Sequence, residues 1–288
     1  MKQNKSIPIR KLSEAFDSLS EFRALDISEL TKTSPMNERL HRHEFFFMMI
    51  VSKGGGVHTI DFNTYQIEPG IIFLMRPGQV HELNLSKGSE GFILQFSSLF
   101  LTKGSTYSQF DLRRLTIQSS FSFGSEAAQP ILQSAEKIHK ECLNNIHWKQ
   151  DAIWLHLQLI LIELHRQVQS KNPLRIEKKD AFVQTQFYQL QELIEQNIHH
   201  KKKVSEYAEM MNLTAYQLNN ITKSILNKSV STLINEQILL EAKRLLTSTS
   251  NQVSQVALEL GFDDVSYFIR FFKKQTGSSP KVFRENFT

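Results

Sequence analysis

One pattern near the C-terminal end constrains the fold of this 288-residue chain more than any other feature. A short helix, a turn and a second helix occur twice. In the first copy, Val204 to Met211 puts Val204, Tyr207, Ala208 and Met211 on one face. Asn212 tolerates left-handed backbone, and Thr214 can cap a helix running from Ala215 to about Leu226. Leu218, Ile221 and Ile225 face inward at helical spacing. In the second copy, Val253 to Leu260 is followed by Gly261, which accepts positive φ at no steric cost. Asp263 or Asp264 can cap the helix from Val265 to about Gln275, with Phe268, Phe271 and Phe272 as its apolar side. Ala208 and Ala257 hold the same place, where a small side chain lets two helices approach closely. This is the spacing of a helix-turn-helix.

The copies lie about 49 residues apart. Between them Thr232 to Leu246 reads as one helix, striped by Ile234, Ile238, Leu239, Ala242, Leu245 and Leu246. At 1.5 Å per residue it spans roughly 22 Å. With the thickness of each copy added, two recognition helices would reach successive major-groove faces about 34 Å apart. Ser279 and Pro280 open a last helical turn, Lys281 to Glu285.

Charge agrees with a polyanion partner. The chain carries 34 Lys and Arg against 29 Asp and Glu, a net +5. From Lys171 onward the counts are 16 and 12, or +4, which leaves +1 for the rest. Cys142 is the single cysteine, so neither a disulfide within the chain nor a cysteine zinc cluster is available. It falls in an amphipathic helix, where packing is its expected role. Met1 to Phe22 lacks an apolar core of signal-peptide length. The longest apolar stretch, Ile153 to Leu164, is broken by His156, Gln158 and Glu163 and is too short to span a bilayer. A cytoplasmic chain with no membrane partner is expected.

The N-terminal half has another texture. From about Glu38 to Phe100, short aromatic and aliphatic runs are cut by turn signals at Lys53-Gly54-Gly55-Gly56, Phe62-Asn63, Glu68-Pro69-Gly70, Arg76-Pro77-Gly78 and Lys87-Gly88. Spacings of about 8 to 12 residues predict a β-sandwich or barrel. After Gly124 the period becomes helical, with Ile131, Ala135, Ile138 and Cys142 on one face. Gln150 to about Gln169 is next, striped by Ile153, Trp154, Leu157, Ile160, Leu161, Leu164 and Val168 and widened by Leu155, Leu159 and Ile162. A helix apolar over most of its circumference is buried on two sides. Its second side meets either another element of its own chain or a second copy, through Trp154, Leu157, Leu161 and Leu164. Residues 171–182 are polar, contain Pro173 and read as a linker.

The expected fold is therefore α+β and multidomain. Residues 1–170 form a barrel (about 38–100) with following helices (about 126–169), and 183–288 form an all-α tandem helix-turn-helix domain.

The stretch Ala257 to Arg284 closely resembles the signature of the AraC/XylS family of bacterial transcription regulators. The matching positions are Ala257, Gly261, Phe262, Ser266, Tyr267, Phe268, Arg270, Phe272, Lys273, Lys274, Gly277, Pro280 and Arg284. The resemblance covers roughly the last hundred residues. It implies a promoter-binding regulator, usually an activator, that acts with RNA polymerase and commonly as a homodimer. Recognition helices present their N-terminal residues to base edges. The outward positions are Tyr216, Asn219, Asn220 and Lys223 in the first copy, and Val265, Ser266, Ile269 and Arg270 in the second. Either Asn can pair with adenine, and Arg270 with guanine or, as the family position sometimes does, with the phosphate backbone. Lys273, Lys274 and Lys243 are phosphate contacts, which position without specifying. Lys201, Lys202 and Lys203 precede the first copy. The first copy departs from the family at Thr222, where Phe is usual, and at Asn220, where Arg is common.

His41-Arg42-His43 and Pro77-Gly78-Gln79-Val80-His81 resemble the two motifs of the cupin superfamily, a barrel that such regulators often carry as a sensor. In catalytic cupins two such histidines, a Glu and a later His bind a divalent metal. Here the Glu position falls at Phe47 or Met48, and Glu44 faces the opposite way. The expectation is no cofactor and no metal, with hydrogen-bonded histidines. Zinc on His41, His43 and His81 is the alternative. A small-molecule pocket is expected at the barrel mouth, lined by His41, His43, Phe45, Phe47, Met49, Met75 and His81, with Arg42 or Arg76 available to a carboxylate. The pattern is similar to regulators of aromatic-acid catabolism, and a sugar is the other ligand class. The rival functions are a metal-dependent cupin enzyme with a DNA-binding tail, and a regulator without a ligand, controlled by its abundance.

Overall fold

A computed structural model describes residues 8–10, 21–102, 115, 118–144, 147–171 and 178–287. The chain divides into two compact units, one ending at Leu174 and the other beginning at Arg175.

The N-terminal unit is built on two five-stranded sheets. Its strands are β1 (Ile9–Arg10), β2 (Phe22–Asp26), β3 (Met36–His43), β4 (Phe46–Lys53), β5 (Gly56–Ile60), β6 (Asn63–Ile67), β7 (Ile71–Met75), β8 (Val80–Leu85), β9 (Glu90–Phe96) and β10 (Ser120–Ser122). One sheet runs β1-β3-β8-β5-β6 and the other β10-β7-β4-β9-β2. All pairings are antiparallel except β1 with β3. The inner faces meet through Phe47, Met49, Ile60, Phe73, Met75, Leu83 and Ile93.

Sheet two is covered on its outer face as well. Met48, Ile50, Ile72, Leu74, Leu94 and Phe96 pack on the helices α3 (Gln129–Leu143) and α4 (Lys149–Lys171). This explains why Met48 to Val51 and Ile71 to Met75 are continuously apolar and buried, as strands buried on both faces must be. Sheet one has one solvated face, so β3 and β8 alternate instead. Two short helices, α1 (Ile27–Thr31) and α2 (Ser98–Thr102), complete the described part of the unit. Strand structure thus begins at β1 and β2, earlier than the turn signals predict, because β2 is a sheet edge recruited by pairing with β9.

Leu157, Leu161 and Leu164 are fully buried in this same core, with Trp154 packed against it. This corrects the assignment of these four residues to a dimer interface. The three leucines are already covered within their own unit, and Trp154 is partly so. The side of α4 that faces away holds Leu155 and Leu159, 56% and 52% exposed. Cys142 packs against the same core, and burial raises its thiol pKa.

The C-terminal unit is helical: α5 (Lys178–Asn197), α6 (Val204–Met210), α7 (Ala215–Leu226), α8 (Val230–Ser248), α9 (Val253–Glu259), α10 (Val265–Thr276) and α11 (Pro280–Phe287). Helix α4 reaches Lys171 and α5 starts at Lys178, so the stretch between helices is narrower than the expected 171–182 linker, and 172–177 lie outside the described residues. The long spacer helix α8 packs against α5, α7, α9 and α11. It has 19 residues, or about 28 Å at the helical rise.

Candidate nucleic-acid interface and buried histidine cluster

Local chemistry sets the geometry of both helix-turn-helix copies. In the first, Asn212 adopts φ 53° and the Leu213 N–H donates to Ala208 O at 2.9 Å. Thr214 caps α7 in a reciprocal box with Gln217. In the second, Gly261 has φ 68° and the Phe262 N–H donates to Ala257 O at 2.9 Å. Of the two candidate caps, Asp264 starts α10, accepting from the Ser266 N–H at 2.7 Å.

Of the expected DNA-facing positions, Tyr216, Asn220 and Lys223 on α7 and Ser266, Ile269, Arg270, Lys273 and Lys274 on α10 are exposed. Tyr216 is 75% exposed. Arg270 lies 3.8 Å from Asp264, and both are well exposed, so that ion pair is weak and readily exchanged for another anion. Val265 is half-buried at the helix start.

Asn219 uses both atoms of its side-chain amide within the protein. Its Nδ2 donates to Ala215 O at 2.9 Å, and its Oδ1 accepts from the Val230 N–H at 3.1 Å. That amide is among the first of α8, which lack helical partners, so Asn219 ties α7 to α8. Two lysines also make contacts within the protein. Lys202 donates to Gly261 O at 2.7 Å and lies over the Phe262 ring, and burial lowers its pKa. Lys243 lies over the Phe283 ring, and burial also lowers its pKa. Arg284 uses its guanidinium on Leu246 O and Asn251 O, at 2.8 and 2.7 Å, fastening α11 to the end of α8.

In the barrel, the β3–β8 register sets His41 opposite His81. His43 closes β3 beside the Pro77-Gly78 turn, where the Gly78 N–H donates to His43 O at 2.8 Å. Gln79 fixes that turn by accepting from the Arg76 N–H and donating to Asp61, both at 2.8 Å. Three imidazole nitrogens converge: His81 Nε2 is 2.7 Å from His43 Nε2 and 3.1 Å from His41 Nε2. A fourth histidine, His58 on β5, places its Nε2 2.8 Å from His81 Nδ1. The sequence reading missed His58. Its inward parity with Ile60 on a short strand was the available signal.

All four rings are buried. Burial, then the neighbouring His41, lowers the pKa of His43 and of His58 to about 3. Burial also lowers His81 well below its usual value, and His41 less far. The cluster is therefore neutral at pH 7.

The expected mouth residues Phe45, Phe47, Met49 and Met75 are packed core side chains, at most 5% exposed. A cleft of about 350 Å³ lies beside His43 instead, lined by Arg42, His43, Glu44, Pro77 and Gly78. Phe47 and Met48, where catalytic cupins carry Glu, are buried, and Glu44 is exposed.

Residues 207–286 match the helix-turn-helix domain family, and residues 31–190 match the AraC-like ligand binding domain family. The chain belongs to the AraC family of transcription regulators. It is 24% identical over 265 residues to the uncharacterized HTH-type transcriptional regulator YfiF of Bacillus subtilis, covering 88% of this chain and 80% of that one. It is 24% identical over 261 residues to the HTH-type transcriptional activator RhaR of Pectobacterium carotovorum, covering 86% of each. Among solved structures, the C-terminal domain of the response regulator yesN from Fusobacterium nucleatum matches at 28% identity and a TM-score of 0.32, over 33% of this chain and 93% of that one. As an AraC-family regulator the chain pairs a ligand-binding domain with a DNA-binding domain. No helix among the described residues is long and apolar enough to cross a membrane.

Proposed function

We propose that this AraC-family chain is a cytoplasmic, sequence-specific activator that reads promoter DNA with α7 and α10 and recruits RNA polymerase. Its barrel unit senses a small molecule and is not an enzyme. The observation that carries the reading is the pair of capped recognition helices, both packed within one unit that α8 spans. They expose Tyr216, Asn220 and Lys223 on one helix and Ser266, Ile269, Arg270, Lys273 and Lys274 on the other. Arg270 and Asn220 read bases, and the lysines hold phosphates. The effector is read as an aromatic acid met by Arg42 in the cleft beside His43, with a sugar as the alternative because Glu44 lines the same cleft. Two chains associate through the outward side of α4, where Leu155 and Leu159 stand one turn apart. Ligand binding favours one arrangement of the pair on DNA over another.

Selection of genomic DNA fragments by the full chain tests this at near-physiological salt. Two half-motifs about one helical turn apart are expected. Enrichment that stays sequence-independent, with and without aromatic acids and sugars, would sink the reading.

A further inference from the structure

The segment between α5 and α6 is bound on two sides, and the two sides belong to different helix-turn-helix copies. Toward the first copy, the Tyr207 hydroxyl donates to Lys201 O at 2.8 Å, and Glu206 Oε2 accepts from the Lys202 and Lys203 N–H groups at 3.0 and 2.8 Å. Tyr207 is fully buried, so this side moves with α6. Toward the second copy, His199 Nδ1 donates to Glu259 O at 3.0 Å, and Lys202 Nζ donates to Gly261 O at 2.7 Å. Both acceptors lie at the C-terminal end of α9 and the turn that follows, where carbonyls without a helical partner favour a positive charge. The Lys202 ammonium also lies 5.1 Å from the centroid of the Phe262 ring. Phe262 in turn packs on Phe268 and Phe271 of α10, with centroids 5.2 and 5.8 Å away. The approach leaves no room for a side chain at the turn. A Cβ on Gly261 would lie 2.0 Å from His199 O and 2.7 Å from Lys202 Nζ.

We propose that His199 and Lys202 are positioning residues for DNA recognition: they lock the second copy to the first and so fix how far apart the two half-motifs of a site must lie. The inference rests on the reading that α7 and α10 both enter DNA. Helix α8 already joins the copies, with α7 and α9 packed against it. A helix resists bending, and a second tie at a separate place resists rotation of one copy about that helix. One base pair is a step of about 3.4 Å and a turn of about 35° along the duplex. One pair added between the half-motifs asks α10 to move by that much relative to α7. The second copy can follow only if His199 and Lys202 release the end of α9. Their effect reaches α10 through the Gly261 turn and the Phe262 ring, so spacing is selected by residues that read no base.

The test uses the full chain and duplexes carrying its selected site, with the half-motif spacing kept or changed by one base pair. The native chain should bind the altered duplexes about tenfold or more weakly. The variant His199→Leu/Lys202→Met removes both donors and keeps an unbranched apolar stem over Phe262. Its spacing penalty should fall to about threefold or less, with weaker binding at the native spacing because the copies are no longer pre-arranged. The ratio between duplexes cancels any general loss from removing a cation. Lys201→Met removes the same charge one residue away and should keep the native ratio. Lys202→Arg, whose guanidinium can still donate to Gly261 O, should keep most of it. Should the double variant fail to fold, Lys202→Met alone carries the same measurements. A second readout needs no DNA. Spin labels on Lys223→Cys and Lys274→Cys, in a Cys142→Ser background, report the distance between the recognition helices. That distance should be narrowly distributed with the two donors present and broadly distributed without them. An unchanged spacing ratio in the double variant, or an equally narrow distance, overturns the proposal. A native chain that selects no site removes the DNA reading instead, and the distance widths still decide whether these two residues lock the copies.

Discussion

The two helix-turn-helix copies share a plan, the second with one more residue between its left-handed turn residue and its cap, and differ in what holds them. The second copy is held by aromatic burial. Phe262 packs on Phe268 and Phe271, and Phe272 lies between Phe268 and Phe283, with ring centroids 5.2–6.0 Å apart. The first copy has Thr222 at the position of Phe272, equally buried, with its hydroxyl donating to Asn219 O at 3.2 Å. It has Asn219 where the second has exposed Ile269, and that amide ties α7 to α8. Its turn uses Asn212, where the second requires Gly261. A Cβ at Gly261 would lie 2.0 Å from His199 O, on the segment that leads into the first copy. One device is thus stabilised by buried area in one place and by directed hydrogen bonds in the other. The copy with the larger core also carries more exposed cations.

The largest break in this comparison is expected at the aromatic core. Phe272→Ala should cost about 3–5 kcal/mol of local stability, and Thr222→Ala about 1 kcal/mol. Amide exchange in α10 and α7 reads the two locally, which suits a chain of two units better than one melting curve. Equal losses would mean the first copy has a core of comparable weight. The turns come next. Gly261→Ala combines left-handed strain with displacement of the His199 carbonyl, and should cost about 2–4 kcal/mol. Asn212→Ala should cost about 1 kcal/mol. A tolerated Gly261→Ala would mean that the turn and the His199 segment move apart easily.

DNA binding separates the copies differently. Arg270→Ala and Asn220→Ala should each weaken binding to the selected site by about 1–3 kcal/mol, and random DNA much less. Asn219→Ala should weaken both alike, by unsettling the start of α8, and should speed exchange of the Val230 amide. A site-specific loss in Asn219→Ala, with Val230 still protected, would restore Asn219 as a base reader.

What was legible in the sequence follows the range of each interaction. Thr214, Asp264, Asn212 and Gly261 act within a few residues, so caps and turns could be read directly. The exposed positions of α7 and α10 followed from helical period. Asn219 could not be read the same way, because its partner is the backbone of the next helix. Periodicity gave the apolar stripe of α4 but not which side meets sheet two, so Leu157, Leu161 and Leu164 were misplaced at a dimer interface. The HxH pair and His81 stood out as motifs. His58 sits on a strand between the two motifs and joins them only through the β5–β8 pairing. The burial of Phe45, Phe47 and Met75 is equally non-local.

The smallest expected effect is the most direct test of what limits the first copy. Thr222→Val keeps the shape of the side chain and removes one hydroxyl. The hydroxyl bonds to Asn219 O, a carbonyl inside a helix that also has its place in the backbone ladder. Its loss therefore leaves no orphaned acceptor, and the added methyl is buried where Thr222 is fully enclosed. Losing the bond costs about 1 kcal/mol, and burying one more methyl returns about 0.8 kcal/mol. Stability should change by less than about 0.5 kcal/mol, with α7 exchange unaltered. A gain above 1 kcal/mol would show that the polar side chain, not missing volume, is what distinguishes this core from the aromatic one. A clear loss would show that the hydroxyl does for α7 what Phe272 does for α10.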